Sequence, residues 1–229
     1  MKARLVVTLL MIAQASHAQV GYQPDRSPYR DKDYNRDWTL FMGQYLAEPD
    51  PVGVAPSDGP LVGVRWQMHL TGPLSFAVRL AGASSERTEI DPTEPLATRV
   101  VRTETVPLVL ADASIELSLT GHRTWHGLSP VLNGGLGFAA DMRGRTDVGD
   151  YRFGIPFTMT FGAGATWTPN SIWGLRLDWS NYIYRITYPG SYYVKSTQDP
   201  APRLAGQSNS FWRRNNTFTL GVSLHYPRR

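Results

Sequence analysis

Apolar and polar residues alternate with a period of two through much of this chain, which is the pattern of strands that show one face to an apolar medium and the other to a polar one. The C-terminal stretch is the clearest: Phe218, Leu220, Val222, Leu224 and Tyr226 alternate with Thr217, Thr219, Gly221, Ser223 and His225. From Phe153 to Trp167 the apolar side carries Phe153, Ile155, Phe157, Met159, Phe161, Ala163, Ala165 and Trp167, opposite Gly, Pro and Thr. Trp173, Leu175, Leu177 and Trp179 stand opposite Gly174, Arg176, Asp178 and Ser180. Two earlier strands run from Val62 to Leu70 and from Leu74 to Leu80. Three are weaker. Trp38 to Leu46 puts Phe41 on the polar side, Pro130 to Ala140 is rich in Gly, and Val106 to Gly121 changes parity near Ala111 to Ser114, which predicts a bulge. Eight strands result.

The connections alternate in length. Thr71-Gly72-Pro73, Thr168-Pro169-Asn170 and His122 to Ser129 are short, whereas the links near 47–60, 83–105, 141–150 and 187–215 are longer and polar. Short periplasmic turns and longer extracellular loops follow this order in transmembrane barrels. Which face points out is decided by volume. An eight-stranded barrel is only just wide enough to be filled by side chains, and the large apolar side chains are too many to fit inside. The small and polar set, mostly Gly, Ala, Ser and Thr, does fit. The expected fold is an all-β, eight-stranded antiparallel transmembrane up-and-down barrel. Trp38, Trp125, Trp167, Trp173 and Tyr226 fall at one end as membrane-interface aromatics, and Tyr45, Tyr151, Tyr182, Tyr184, Phe211 and Trp212 at the other.

The N-terminus adds a destination. Lys2 and Arg4, the apolar run Leu5 to Ala13 and the small-x-small site Ser16-His17-Ala18 read as a secretory signal over residues 1–18. Residues 19–36 then read as a polar, flexible periplasmic leader, with a lumen plug as the alternative, and 37–229 as the barrel domain. The formal charge of +4 falls to +2 when Lys2 and Arg4 leave with the signal, so a nucleic-acid partner is not expected. The absence of Cys excludes a disulfide framework, thiolate metal sites and a cysteine nucleophile.

The final strand, Thr219-Leu220-Gly221-Val222-Ser223-Leu224-His225-Tyr226, resembles the C-terminal assembly signal of the small bacterial outer-membrane barrels of OmpA, OmpX and OmpW type, with Gly221, Leu224 and Tyr226 at its marked positions. Pro130-Val131-Leu132-Asn133-Gly134-Gly135-Leu136-Gly137 is similar to their Pro-aromatic-x-Gly-x-Gly-x-Gly strand, with Val131 where the aromatic is usual. The resemblance spans roughly residues 37 to 226. It implies insertion by the outer-membrane barrel assembly machinery, and an outer-membrane location among lipid and lipopolysaccharide.

Inside such a barrel the expected charges are Arg65, Arg79, Glu116, Arg176 and Asp178. A tight hairpin at Gly72 sets Arg65 opposite Arg79, a repulsive pair unless Glu116 lies between them, so a buried salt-bridge cluster is expected, structural or acting as a gate. The second hairpin is expected to set Gly162 opposite Arg176 and Gly154 opposite Tyr184. The last loop and the strand after it offer Tyr192, Tyr193, Arg203, Trp212, Arg213 and Arg214 for extracellular binding, anionic lipopolysaccharide ranking above a protein receptor. His69, His122, His126 and His225 all fall near the periplasmic end, away from an outer-leaflet substrate, so no catalytic residues, cofactor or metal are expected. The favoured role is structural or interaction-based, followed by a small-solute channel, a lipid A-modifying enzyme and a soluble ligand-binding barrel.

Overall fold

The computed structural model describes residues 27–95, 97–194, 204 and 207–227; the expected signal peptide, and Arg203 with residues 195–202 and 205–206 of its loop, lie outside them. Eight strands close into an antiparallel barrel: β2 (Tyr34–Leu46), β3 (Gly59–Thr71), β4 (Leu74–Ile90), β5 (Val100–Ser118), β7 (Leu128–Asp141), β8 (Phe157–Trp167), β9 (Trp173–Thr187) and β10 (Ser210–Pro227). Sequential strands pair in turn, and β10 pairs with β2 to close the ring. Two short strands, β1 (Tyr29–Asp31) and β6 (Arg123–Trp125), pair with each other at the end where the turns lie. We call this the turn end and the opposite one the loop end.

The alternation sorts as volume requires. Leu40, Met42, Val62, Leu80, Leu136, Leu177, Leu220, Val222 and Leu224 point outward and are exposed, whereas Arg65, Arg79, Asp112, Glu116, Arg176 and Asp178 point inward and are buried. At the turn end Trp38, Trp125, Trp167 and Tyr226 stand on the outer surface, and Trp167 packs edge-on against Trp173 with ring centres 6.3 Å apart. Most of the tyrosines expected to form the second belt lie elsewhere. Tyr45, Tyr151, Tyr182 and Tyr184 are fully buried inside the loop end, and only Trp212 keeps a broad outward exposure. Their hydroxyls find partners or shelter indoors, which a phenol can do and an aliphatic chain cannot.

Three expectations about strands need correction. β5 has no bulge at 111–114: its register with β4 is unbroken from Leu117 to Arg102, and Val106, Leu108 and Leu110 simply turn inward with Asp112. The lumen's upper half is apolar, so the apolar residues change faces while the backbone does not. Phe41 lies inside, on the polar side where the sequence puts it. β4 and β5 run on through 83–90 and 100–105, which were expected to be loop, as a ladder polar enough to hide its period. β8 begins at Phe157 instead of Phe153. Gly154 takes a φ of +71°, the chain breaks there, and Phe153 swings into the core. The turn after β8 is accordingly longer, placing Arg176 opposite Thr166, Gly162 opposite Ser180 and Tyr184 opposite Thr158. Both registers have the same parity, so the inward set survives.

Several glycines are places where the wall must thin. A Cβ at Gly221 would lie 2.7 Å from Thr39 Cγ2, 2.8 Å from the Leu40 carbonyl oxygen and 2.9 Å from Phe41 Cβ. At Gly63 it would lie 2.5 Å from the Phe41 ring. Phe41 therefore fills space that two flanking strands leave empty. Leu224 and Tyr226, the other marked positions of the terminal strand, face outward. Gly221→Ala is expected to cost about 1–3 kcal/mol through overpacking, read as a lower urea midpoint for the heat-modifiable folded band on a gel.

Candidate functional site: a plugged lumen and its cap

The barrel interior is a stack of polar layers. In the lowest, Glu116 of β5 receives Arg65 of β3 and Arg176 of β9, the latter through Nη2 at 2.5 Å. Gln67 donates to the same carboxylate at 3.0 Å. Asp178 holds the other edge of Arg176, accepting from Nε at 2.6 Å and Nη2 at 2.9 Å. Every expected member of the cluster except Arg79 is in this layer. Glu116 does not lie between Arg65 and Arg79, as expected, but between Arg65 and Arg176.

Arg79, opposite Arg65 across the β3–β4 ladder as expected, makes the layer above. Its Nε donates to Asp112 Oδ2 at 2.9 Å and its Nη1 to Ser180 Oγ at 2.8 Å. The Tyr182 hydroxyl donates to the same Asp112 at 2.8 Å, and the guanidinium lies 5.1 Å from the Tyr182 ring centre. Asp112 is the residue that the sequence reading missed, because the supposed bulge took it off the inner face. Strands β4 and β9 are four places apart in the ring of eight, so the Arg79–Ser180 bond crosses the full bore. Gly137 and Gly164 give the carboxylates room: a Cβ on either would lie 2.7 Å from Asp112 Cβ or collide with the Asp178 carboxylate.

Above these layers Tyr45 and Tyr184 share a hydrogen bond of 2.7 Å, surrounded by Leu61, Leu108, Leu110, Ala139 and Phe153. The loops then fold over as a cap with its own ion network. Arg87 contacts Asp141 and, at 2.9 Å, Asp147. Arg143 contacts Glu89, Glu104 at 2.7 Å and Asp147 at 2.6 Å. Tyr151, Tyr188 and Tyr192 cluster beside them, with ring centres 5.5 to 6.4 Å apart. Burial pushes all three phenols well above the ordinary tyrosine range, with Asp50, bonded to the Tyr188 hydroxyl at 2.5 Å, adding to the shift.

The turn end is closed differently. Residues 29–31, expected within a flexible leader, are β1, and the Lys32 that follows points into the mouth and donates to Ser129 Oγ at 2.7 Å. Burial lowers its pKa, with Glu116 and Asp37 opposing that shift. Between Lys32 and the ion layer remains a polar cavity of about 30 Å³, enough to hold water. The mouth also holds Tyr34 stacked on His225 at 3.9 Å and His69 against His122 at 4.4 Å.

The residues expected to form one extracellular binding surface are split by the structure. Tyr192 and Arg213 are buried in the cap, Tyr193 is partly covered and donates to the Ser208 carbonyl at 2.8 Å, and Trp212 and Arg214 face outward on β10. Parity along β10 separates them: odd positions enter the lumen and even positions leave it.

Two outcomes follow. Glu116→Gln strands the buried Arg65 guanidinium and leaves Arg176 with Asp178 alone, so it is expected to lower stability by about 3–5 kcal/mol in urea unfolding from lipid vesicles, more than the conservative loss of an exposed pair such as Arg123–Asp31. The cap tyrosines also set an alkaline limit. Their folded pKa lies above the unfolded value of about 10, so the unfolded chain releases protons first and cap stability is lost as pH rises past that value. Replacing Tyr151, Tyr188 and Tyr192 with Phe should leave the tyrosinate absorbance of the folded protein unchanged up to about pH 11, and change it only after unfolding.

No protein-family model matches the chain, and no curated protein does. Solved structures do. The neisserial surface protein A is 13% identical, with a TM-score of 0.51 over 83% of this chain and 97% of that one. OprG from Pseudomonas aeruginosa is 8% identical, with a TM-score of 0.49 over 84% and 98%. Outer membrane protein W of E. coli is 12% identical, with a TM-score of 0.44 over 85% and 99%. The chain therefore has the fold of a small eight-stranded outer-membrane β-barrel, that of neisserial surface protein A.

Proposed function

We propose that this protein is an integral barrel of the bacterial outer membrane with a structural or interaction role in the envelope, and that its lumen is closed at rest. The observation that carries the reading is Arg79, which joins Asp112 on β5 to Ser180 on the opposite wall. A bore spanned by a buried ion pair, with a second ion layer below and a tyrosine layer above, leaves no continuous path for a hydrated solute. The outward apolar band on β10 runs from Tyr226 to Phe218. Eight residue steps of a tilted strand cover roughly 20–25 Å, the height of the lipid-facing band of such barrels. The turn end is then periplasmic and the capped loop end extracellular.

Lipid and lipopolysaccharide are the partners that the outer surface fits. Arg185 and Arg214 stand exposed with Trp212 just above the apolar band, where anionic headgroups lie. A non-enzymatic role agrees with the histidines, since His69, His122, His126 and His225 sit at the turn end, far from an outer-leaflet substrate. The terminal strand, with Leu224 and Tyr226 outward, suits recognition by the barrel assembly machinery.

Two experiments test this reading. In planar bilayers the wild-type protein is expected to show no sustained open level at neutral pH; steady, long-lived conductance would replace the structural reading with that of a small-solute channel. The double substitution Arg185→Glu and Arg214→Glu is expected to lower co-purifying lipopolysaccharide several-fold while leaving the heat-modifiable fold intact.

A further inference from the structure

Buried guanidiniums in the cap have different surroundings. Arg87 has two carboxylates, Asp141 and Asp147, and Arg143 has three, Glu89, Glu104 and Asp147. Arg213 has none within ion-pair distance among the described residues, although it is only 3% exposed. Its Nε and Nη1 are buried without a hydrogen-bond partner. It projects inward from β10 opposite Tyr184, which is bonded to Tyr45, and its field reaches the phenols of Tyr151 and Tyr188. The Tyr151 hydroxyl is also buried and also without a partner. Asp50, the carboxylate that shares this neighbourhood, is occupied: it accepts from the backbone N–H groups of Gly53, Val54 and Ala55 and from the Tyr188 hydroxyl.

A guanidinium is a permanent cation in proteins. A buried charge without a partner costs several kcal/mol, and the two neighbouring arginines show that the cap supplies carboxylates where it needs them. At Arg213 the groups presented are donors: a guanidinium and a phenol. We propose that Arg213 is the centre of an anion-binding site within the loop cap, which takes a small monovalent anion, either a halide or the carboxylate of a small organic solute. Such an anion completes the charge balance of the cap and ties β10 to the tyrosine cluster, so occupancy and closure of the loop end are linked. Binding to the closed form alone stabilises it with the logarithm of anion concentration.

The test uses the full mature chain, folded in detergent micelles, at constant ionic strength. Chloride and formate are titrated against gluconate, a much larger anion, and the thermal midpoint and protease resistance of the cap are followed. The proposal expects both to rise with chloride, formate or both, saturably for protease resistance, and the dependence to vanish in Arg213→Gln while persisting in Trp212→Phe. A response to formate alone assigns the site to a solute carboxylate, and one to chloride alone to a halide. Bromide introduced into crystals of the wild-type protein gives a readout that needs no variant, and an anomalous peak is expected at hydrogen-bonding distance from the Arg213 guanidinium. No anion dependence beyond gluconate, the same dependence in Arg213→Gln, or no bromide at Arg213 would overturn the proposal.

Discussion

A ring of eight strands encloses a bore that side chains can fill and bulk water cannot, and this single constraint organises the molecule. Each polar group that points inward must find a partner across the bore, because leaving it bare in a dry interior costs more than any packing contact returns. The cross-wall bonds from Arg79 to Ser180, from Tyr182 to Asp112 and from Arg176 to Glu116 are the consequence. Small inward residues on one strand make room for large ones on the next, so Gly137 and Gly164 are as much a part of the ion layers as the charges are.

The two ends are closed by different chemistry. The turn end uses the chain that precedes the barrel: β1 pairs with β6, and Lys32 reaches in beside Asp37 and Glu116. Outside, four polar connections build a second, smaller interior above the apolar layer, with tyrosines for bulk and Arg87 and Arg143 for cohesion. The guanidiniums of the bore's ion layers each have a carboxylate. In the cap, Arg213 has none among the described residues, and this asymmetry locates chemical responsiveness at the loop end.

Much of this was legible in the chain before any coordinates. Period-two alternation identified all eight strands, the volume argument turned the barrel the right way out, and the Gly72 turn placed Arg65 against Arg79. What failed did so where polarity and direction part company. Val106, Leu108 and Leu110 are apolar residues that point inward, so the assumption that apolar means outward produced a false bulge and lost Asp112. Tyr45, Tyr182 and Tyr184 were assigned to a membrane belt for the same reason. The outer ladder of β4 and β5, polar on both faces, carried no period to read. Arg213 was singled out, but as an exposed contact: nothing in its spacing to Trp212 and Arg214 says how far up the strand the lumen ends.

The central claim, a dry, plugged bore inside an apolar belt, is tested most directly by spin labels on β10. Because the chain has no cysteine, single cysteines can be placed one at a time from Thr217 to Leu224 in lipid vesicles and their collisions with oxygen and with a polar nickel chelate compared. The account predicts that the even-numbered positions collide freely with oxygen and not with the chelate, while the odd-numbered positions are shielded from both. Chelate access at the odd positions would show an open aqueous bore, and oxygen exposure without alternation would contradict the embedded barrel itself.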